Sequence, residues 1–300
     1  MTADSPPTAP SSPSQSSSDQ PARLSLLARD VRDYDPARFQ TNLFAPAARR
    51  EDLMALHAFH VELARIAGTV SEALIGQMRY QWWRDQVNSA CDGKGPILGH
   101  PVGEGVNAVI QTYGLDREAL LSIIDARETD LEVQPFATEE DMVCHARVSS
   151  GALNGMAARV VGITAPETLA AAEDIGTAWG LLDLVGPCAL EARRGRLTLP
   201  ADLCAEAGVT VETLARPEGG EAARKPLRRV MDLVQGHLLS ARRLRGAVKM
   251  DQASPFLMAR LCWHYIDVVK KCDYFPNDPR ALVVPRMPIR LFLSAIARRF

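Results

Sequence analysis

The sequence predicts an all-α fold in a single domain. Three observations carry this expectation. Beyond the first two dozen residues nearly every segment has helix-start or helix-stop residues at its ends, and apolar residues recur between them at three- and four-residue spacing. Period-2 alternation with β-branched residues is rare. The 300 residues would fill two average domains, but a single helical domain over residues 23–300 accommodates the pattern.

The opening MTADSPPTAPSSPSQSSSDQPAR is rich in Ser and Pro and lacks an apolar core. Residues 1–22 are therefore expected to form a disordered tail, because they cannot bury enough apolar surface to offset ordering. The same stretch is no signal peptide, and Asp4 and Asp19 with no Arg before position 23 suit a transit peptide poorly.

From Pro46 the segment AARREDLMALHAFHVELARIA sets Leu53, Leu56, His60, Leu63 and Ala67 on one helix face, and Gly68 is expected to stop it. Thr69, three residues before Glu72, predicts a capping box that opens a second helix, with Leu74, Met78 and Trp82 stacked at four-residue steps. Asp92 to Glu104, rich in Gly and Pro, reads as a loop, and residues 116–134 as the next helix.

Thr138 with Asp141 is a second capping-box pattern, and the helix it starts runs through HARVSSGALNGMAARVVG. Its Ser149, Ser150, Gly151, Ala152, Gly155, Ala157 and Ala158 would let neighbouring helices approach closely. A helix over about 167–187 follows, then the loop ARRGRLTLPADL, which starts another helix near Ala201. Residues 209–225 read as an irregular connection, and long helices are expected over about 226–248 and 253–273.

The last helix, from Pro288 to Phe300, carries Ile289, Leu293, Ile296 and Phe300 on one stripe, with Arg290, Arg298 and Arg299 elsewhere. A packed terminal helix is the expectation, since arginines near a C-terminus suit the macrodipole; a helix lying on a bilayer is the alternative.

Composition narrows function mainly by exclusion. With 34 basic and 36 acidic residues the formal net charge is −2, so nothing global marks a nucleic-acid partner. Six cysteines without a C-x-x-C pair argue against a zinc site or a disulfide scaffold, and predict reduced, buried or half-buried thiols. No run reaches the ~18 apolar residues of a transmembrane segment. A cytoplasmic location follows as the expectation, with peripheral contact at the inner membrane surface left open.

The segments ALHAFHVELAR, MRYQWWRDQV, IIDARETDL, RVSSGALNGMAARVVG and ARRGRLTLPADL follow one another in an order that resembles the squalene/phytoene synthase family over roughly residues 30–300. The stretch RDYDPARFQTNLFAPAARREDLMALHAFHVELARIAGTVSEALIGQMRYQWWRDQV is similar to the family branch that contains assembly factor 6 of respiratory complex I, the NADH:ubiquinone oxidoreductase. The resemblance implies an isoprenoid-synthase-like helical bundle. Catalytic members condense two allylic diphosphates, and the departing diphosphate is neutralised by Mg²⁺ held on hard carboxylate oxygens. The family carries these acids as two D-x-x-x-D motifs on facing helices, a spacing that puts both on one helix face.

Laid over the first motif, this sequence places Ala64 and Gly68 at the acid positions, with Arg65 between them. Over the second it places Pro187 and Glu191, so one acid remains of four. The resemblance then implies a non-catalytic pseudoenzyme, an assembly or binding factor in complex I biogenesis, with no cofactor. Its partners would be complex I subunits or assembly factors, or an isoprenoid or quinone-like lipid. The alternative is an active, Mg-dependent prenyltransferase with displaced ligands, for which Glu62, Glu128, Asp130, Asp183 and Glu191 are the candidate pocket acids.

Other acid pairs at four-residue spacing, Glu128/Glu132 and Asp202/Glu206, lie off the motif positions and read as solvated faces. His57, His60 and His145 lack metal-ligand spacing and read as hydrogen-bonded helical histidines. Arg193, Arg194 and Arg196 form a candidate anion-binding cluster, balanced by the reading of a solvated, helix-capping loop. The four tryptophans are expected in the core or lining a pocket.

Overall fold

The computed structural model describes residues 24–96, 99–132, 134–217, 220–243, 247–276, 278 and 287–297. The expected tail over residues 1–22 lies outside the described residues, as do Arg298, Arg299 and Phe300. Among the described residues the regular structure is helical throughout, with no strand.

Two short helices, α1 (Leu26–Tyr34) and α2 (Pro36–Asn42), lead into the long α3 (Ala47–Thr69). Asp35 makes the corner between α1 and α2, its side chain accepting from the Arg38 N–H, with Pro36 preset for the first turn. The middle of α3 is buried on every side from Leu53 to Val61, the mark of a helix inside a bundle. Helices α4 (Ala73–Cys91), α5 (Pro101–Tyr113) and α6 (Arg117–Glu128) wrap its flank.

The stretch from α7 (Glu139–Ala146) to α8 (Ala152–Val160) starts with the expected capping box, in which Thr138 and Asp141 exchange both bonds. A π turn over Arg147–Gly151 interrupts it. The small residues there serve backbone contact with α9 (Pro166–Val185): a Cβ on Gly176 would sit 2.4 Å from the Ser150 carbonyl oxygen and 2.9 Å from Gly151 Cα. Short helices α10 (Cys188–Arg193), α11 (Ala201–Ala207) and α12 (Val211–Ala215) precede α13 (Gly220–Arg242), α14 (Met258–Lys271) and α15 (Pro288–Ala297). One buried apolar cluster runs through these elements from Ala28 to Ala295.

Several local expectations are corrected. Thr69 belongs to the last turn of α3, where its hydroxyl donates to the Arg65 and Ile66 carbonyls, so it caps nothing; Glu72 precedes α4 without a side-chain cap. The loop from Asp92 is shorter than expected, because His100 accepts from the Gly103 N–H and Pro101 opens α5, which Gly114 closes in a left-handed conformation. Leu74 and Met78 are exposed on α4, and only Trp82 of that stripe turns partly inward. Residues 209–225 hold α12 and the start of α13. Of the six thiols, four are buried and Cys91 half-buried, but Cys144 is exposed.

Candidate functional site

The C-terminal ends of α3 and α9 approach a shared central region, and two small cavities mark it. One, of about 160 Å³, is lined by Tyr34, Arg38, His60, Ala64, Trp179 and Asp183 among others. The second, of about 220 Å³, is lined by Trp179, Leu182, Asp183, Gly186, Pro187 and Tyr265. Trp179 and Asp183 border both. Each cavity is smaller than the roughly 300–1,000 Å³ typical of ligand pockets.

Arg38 and His60 line the first of them, and Arg127, His57 and His145 lie within electrostatic reach of His60. Arg38 is buried, pairs with Asp35 at 2.5 Å and donates from its other terminal nitrogen to the Ser150 hydroxyl on the π turn. Arg127, at the end of α6, pairs with Asp130 at 3.2 Å and reaches His60 Nε2 at 3.0 Å. A guanidinium only donates, so His60 Nε2 accepts and the ring is neutral, with its proton on Nδ1. Burial, then the charges of Arg127 and Arg38, hold the His60 pKa well below its ordinary value. His57, bonded through Nδ1 to the Asn42 amide at 2.8 Å, is depressed by burial and by Arg38. His145 is lowered by burial, with Asp130 opposing.

The five candidate acids are not brought together. Glu62 lies beside Arg65 at 3.9 Å and faces a separate cavity. Glu128 pairs with Arg84, which also holds Asp125. Asp130 belongs to Arg127, and Glu191 to Arg194 at 2.8 Å with Arg196 at 3.9 Å. Of the five, Asp183 alone faces the central cavities; it is open to solvent on one side, and desolvation by the protein packed around the other raises its pKa.

Mg²⁺ needs several hard oxygens at one point. The residues do not fit it: Ala64 and Pro187 face the cavities without a side-chain oxygen, and Gly68 has open space where a side chain would be. Among the described residues no group of three His, Cys, Asp or Glu is placed to hold a metal ion. The geometry of the second position has a local cause. Helix α9 ends at Val185, and Pro187 stands at the start of α10, so Asp183 and Glu191 are on different helices.

The three candidate anion-binding arginines are also divided. Arg193 donates to the Ala215 carbonyl at 3.4 Å, while Arg194 and Arg196 turn to Glu191. Arg196 additionally borders a larger side cavity of about 590 Å³ beside Ala126, Phe136, His145, Leu184 and Leu197. Sequence reasoning placed Trp179 and Asp183 near a pocket but passed over Arg38 and Arg127. Their signal was present as three-residue spacings, Asp35 to Arg38 and Arg127 to Asp130, which set opposite charges side by side on a helix.

Comparison with known proteins follows the same lines. A family model described as squalene/phytoene synthase matches residues 31–287. A Bos taurus protein named NADH dehydrogenase (ubiquinone) complex I, assembly factor 6 is 27% identical over 280 residues, covering 92% of this chain and 82% of that protein. Among solved structures, squalene synthase HpnC from Alicyclobacillus acidocaldarius superposes with a TM-score of 0.73 at 17% identity, covering 84% of this chain and 94% of that one. A dehydrosqualene synthase in complex with ligand superposes with a TM-score of 0.75 at 13% identity, covering 90% of this chain and 94% of that one.

Proposed function

This chain belongs to the squalene/phytoene synthase family, and within it we propose a non-catalytic member that acts as an assembly or binding factor in the biogenesis of respiratory complex I. The observation that carries the reading is the state of the centre. At the ends of α3 and α9, Ala64, Gly68 and Pro187 supply no ligand oxygen, and four of the five remaining acids are bound to arginines. The volumes agree with it: the two cavities that Asp183 borders, about 160 and 220 Å³, are each small for a pair of prenyl chains, and the side cavity of about 590 Å³ is bordered by only one of the five candidate acids, Asp130. The assembly role comes from the name of the Bos taurus relative, with complex I subunits or other assembly factors as the partners.

The cytoplasm is the proposed compartment. No helix among the described residues is long and apolar enough to cross a membrane.

Two measurements test the proposal. Deleting the gene in its host should lower NADH:ubiquinone oxidoreductase activity and the amount of assembled complex; unchanged levels would remove the assembly role. Purified protein incubated with farnesyl or geranylgeranyl diphosphate and Mg²⁺ should release no diphosphate above background. Sustained turnover would restore the prenyltransferase alternative.

A further inference from the structure

Helix α15 turns its apolar face away from the protein. It packs through Leu291, Ser294 and Ala295, all buried, and is tied at its start by the Met287 N–H donating to the Gln40 side-chain oxygen at 3.1 Å. At 3.6 residues per turn, Ile289, Phe292, Leu293 and Ile296 fall within an arc of about 100° on the opposite side. These four side chains are 55–74% exposed. The stripe expected to pack inward is therefore the outward one, and the packed arc is the less apolar of the two.

One edge of this face is basic. Arg290, itself exposed, stands there, about 100° round the helix from Ile289. The sequence adds Arg298 and Arg299 immediately after the helix, outside the described residues. Large apolar side chains on one arc with arginine beside them are the chemistry of a helix lying in the headgroup boundary of an anionic bilayer. Ten residues cannot span a bilayer core, so the helix lies on it rather than through it. A second copy fits less well, because a two-fold contact across this face would bring its Arg290 edge towards the same arginine of the other copy.

We propose that α15 is an interfacial helix that seats Ile289, Phe292, Leu293 and Ile296 in an anionic lipid surface. This goes beyond the assembly role and stands without it.

The test is sedimentation of the purified full chain with phosphatidylcholine vesicles, with and without about 30% phosphatidylglycerol. Binding should require the anionic lipid and weaken with salt. Phe292→Asp with Leu293→Asp should reduce it by at least roughly tenfold, given the apolar area withdrawn, and Arg290→Glu should reduce it as well. The substituted positions face outward, so an unchanged thermal midpoint would certify the fold of each variant. Wild-type protein that ignores anionic vesicles, or a double variant that binds as well as wild type, overturns the proposal. So does a wild-type dimer that the double substitution converts to a monomer without any vesicle binding.

Discussion

Arg127 on α6 donates to Nε2 of His60 on α3 across 3.0 Å, and so fixes a buried histidine in its neutral form. This pair stands close to where the fold narrows around Asp183, and it makes the centre sensitive to acid. Because the folded-state pKa of His60 lies well below the ordinary value near 6.5, the unfolded chain takes up the proton first as pH falls. Stability is then complete above about pH 6.5 and declines below it. His57 and His145 act in the same direction, while Asp183 and Glu173, whose pKa values are raised, oppose it at more acid pH.

The expected result is a thermal midpoint that drops steadily between pH 7 and 5. His60→Gln, which keeps an acceptor for Arg127 but cannot be protonated, should flatten that slope. An identical slope in the variant would place the acid sensitivity elsewhere.

Metal response offers a second prediction. Catalytic centres that gather several carboxylates are stabilised when Mg²⁺ relieves their repulsion. Here the candidate acids are separated and all but Asp183 are paired with arginines, so millimolar Mg²⁺ should move the midpoint by less than about 1 °C. Glu191→Ala would free Arg194 and Arg196, so inorganic diphosphate should stabilise that variant more than wild type, with or without Mg²⁺. A clear Mg²⁺-dependent rise in wild type that is lost in Glu191→Ala would instead reveal a metal site.

The long helices were legible because their apolar periodicity is local, and the Thr138–Asp141 cap because both partners lie within one turn. What misled was inference about direction. Leu74, Met78 and the Ile289–Leu293–Ile296 stripe have the spacing of a buried face, yet each is exposed, since spacing fixes which residues share a face and not what covers it. That Ala64, Gly68 and Pro187 carry no carboxylate is plain from the sequence itself. The contacts of Arg38 and Arg127 nearby are not, because Arg38 meets Ser150 across 112 positions of sequence and Arg127 meets His60 across 67.

The crossing of α9 with the π turn gives a packing prediction. Gly176 sits where any side chain would strike the Ser150 carbonyl, a backbone atom that cannot rotate away. Gly176→Ala should therefore destabilise by about 1–3 kcal/mol, the range for overpacking a tight core. Gly236→Ala, on the open side of α13 with nothing within 4 Å, should be neutral or slightly stabilising. Chemical denaturation of the two variants side by side decides it, and equal stability would mean that the crossing has room to adjust.

The Arg38–Asp35 pair separates structural charge from leftover catalytic charge. Both groups are largely withdrawn from water, and Arg38 also holds the Ser150 hydroxyl of the π turn, so one pair ties the α1–α2 corner to the middle of the bundle. Removing one partner of a buried pair leaves the other charge without compensation, at about 3–5 kcal/mol, whereas removing both and filling the volume is often nearly neutral. Arg38→Ala should fall in that range, measured by urea denaturation. Arg38→Met with Asp35→Asn should recover most of it, because Met fills the aliphatic path of the arginine and Asn can still accept from the residue-38 N–H that Asp35 now caps. If the double variant is as unstable as the single one, the charge on Arg38 is needed for itself, and the candidate for what it serves is the unpaired carboxylate of Asp183, which borders the same cavity. Asp183→Asn would then lower the thermal midpoint at pH 7; with Arg38 acting only through Asp35 and Ser150, that substitution should leave the midpoint unchanged or raise it, since desolvation disfavours the ionised form of Asp183.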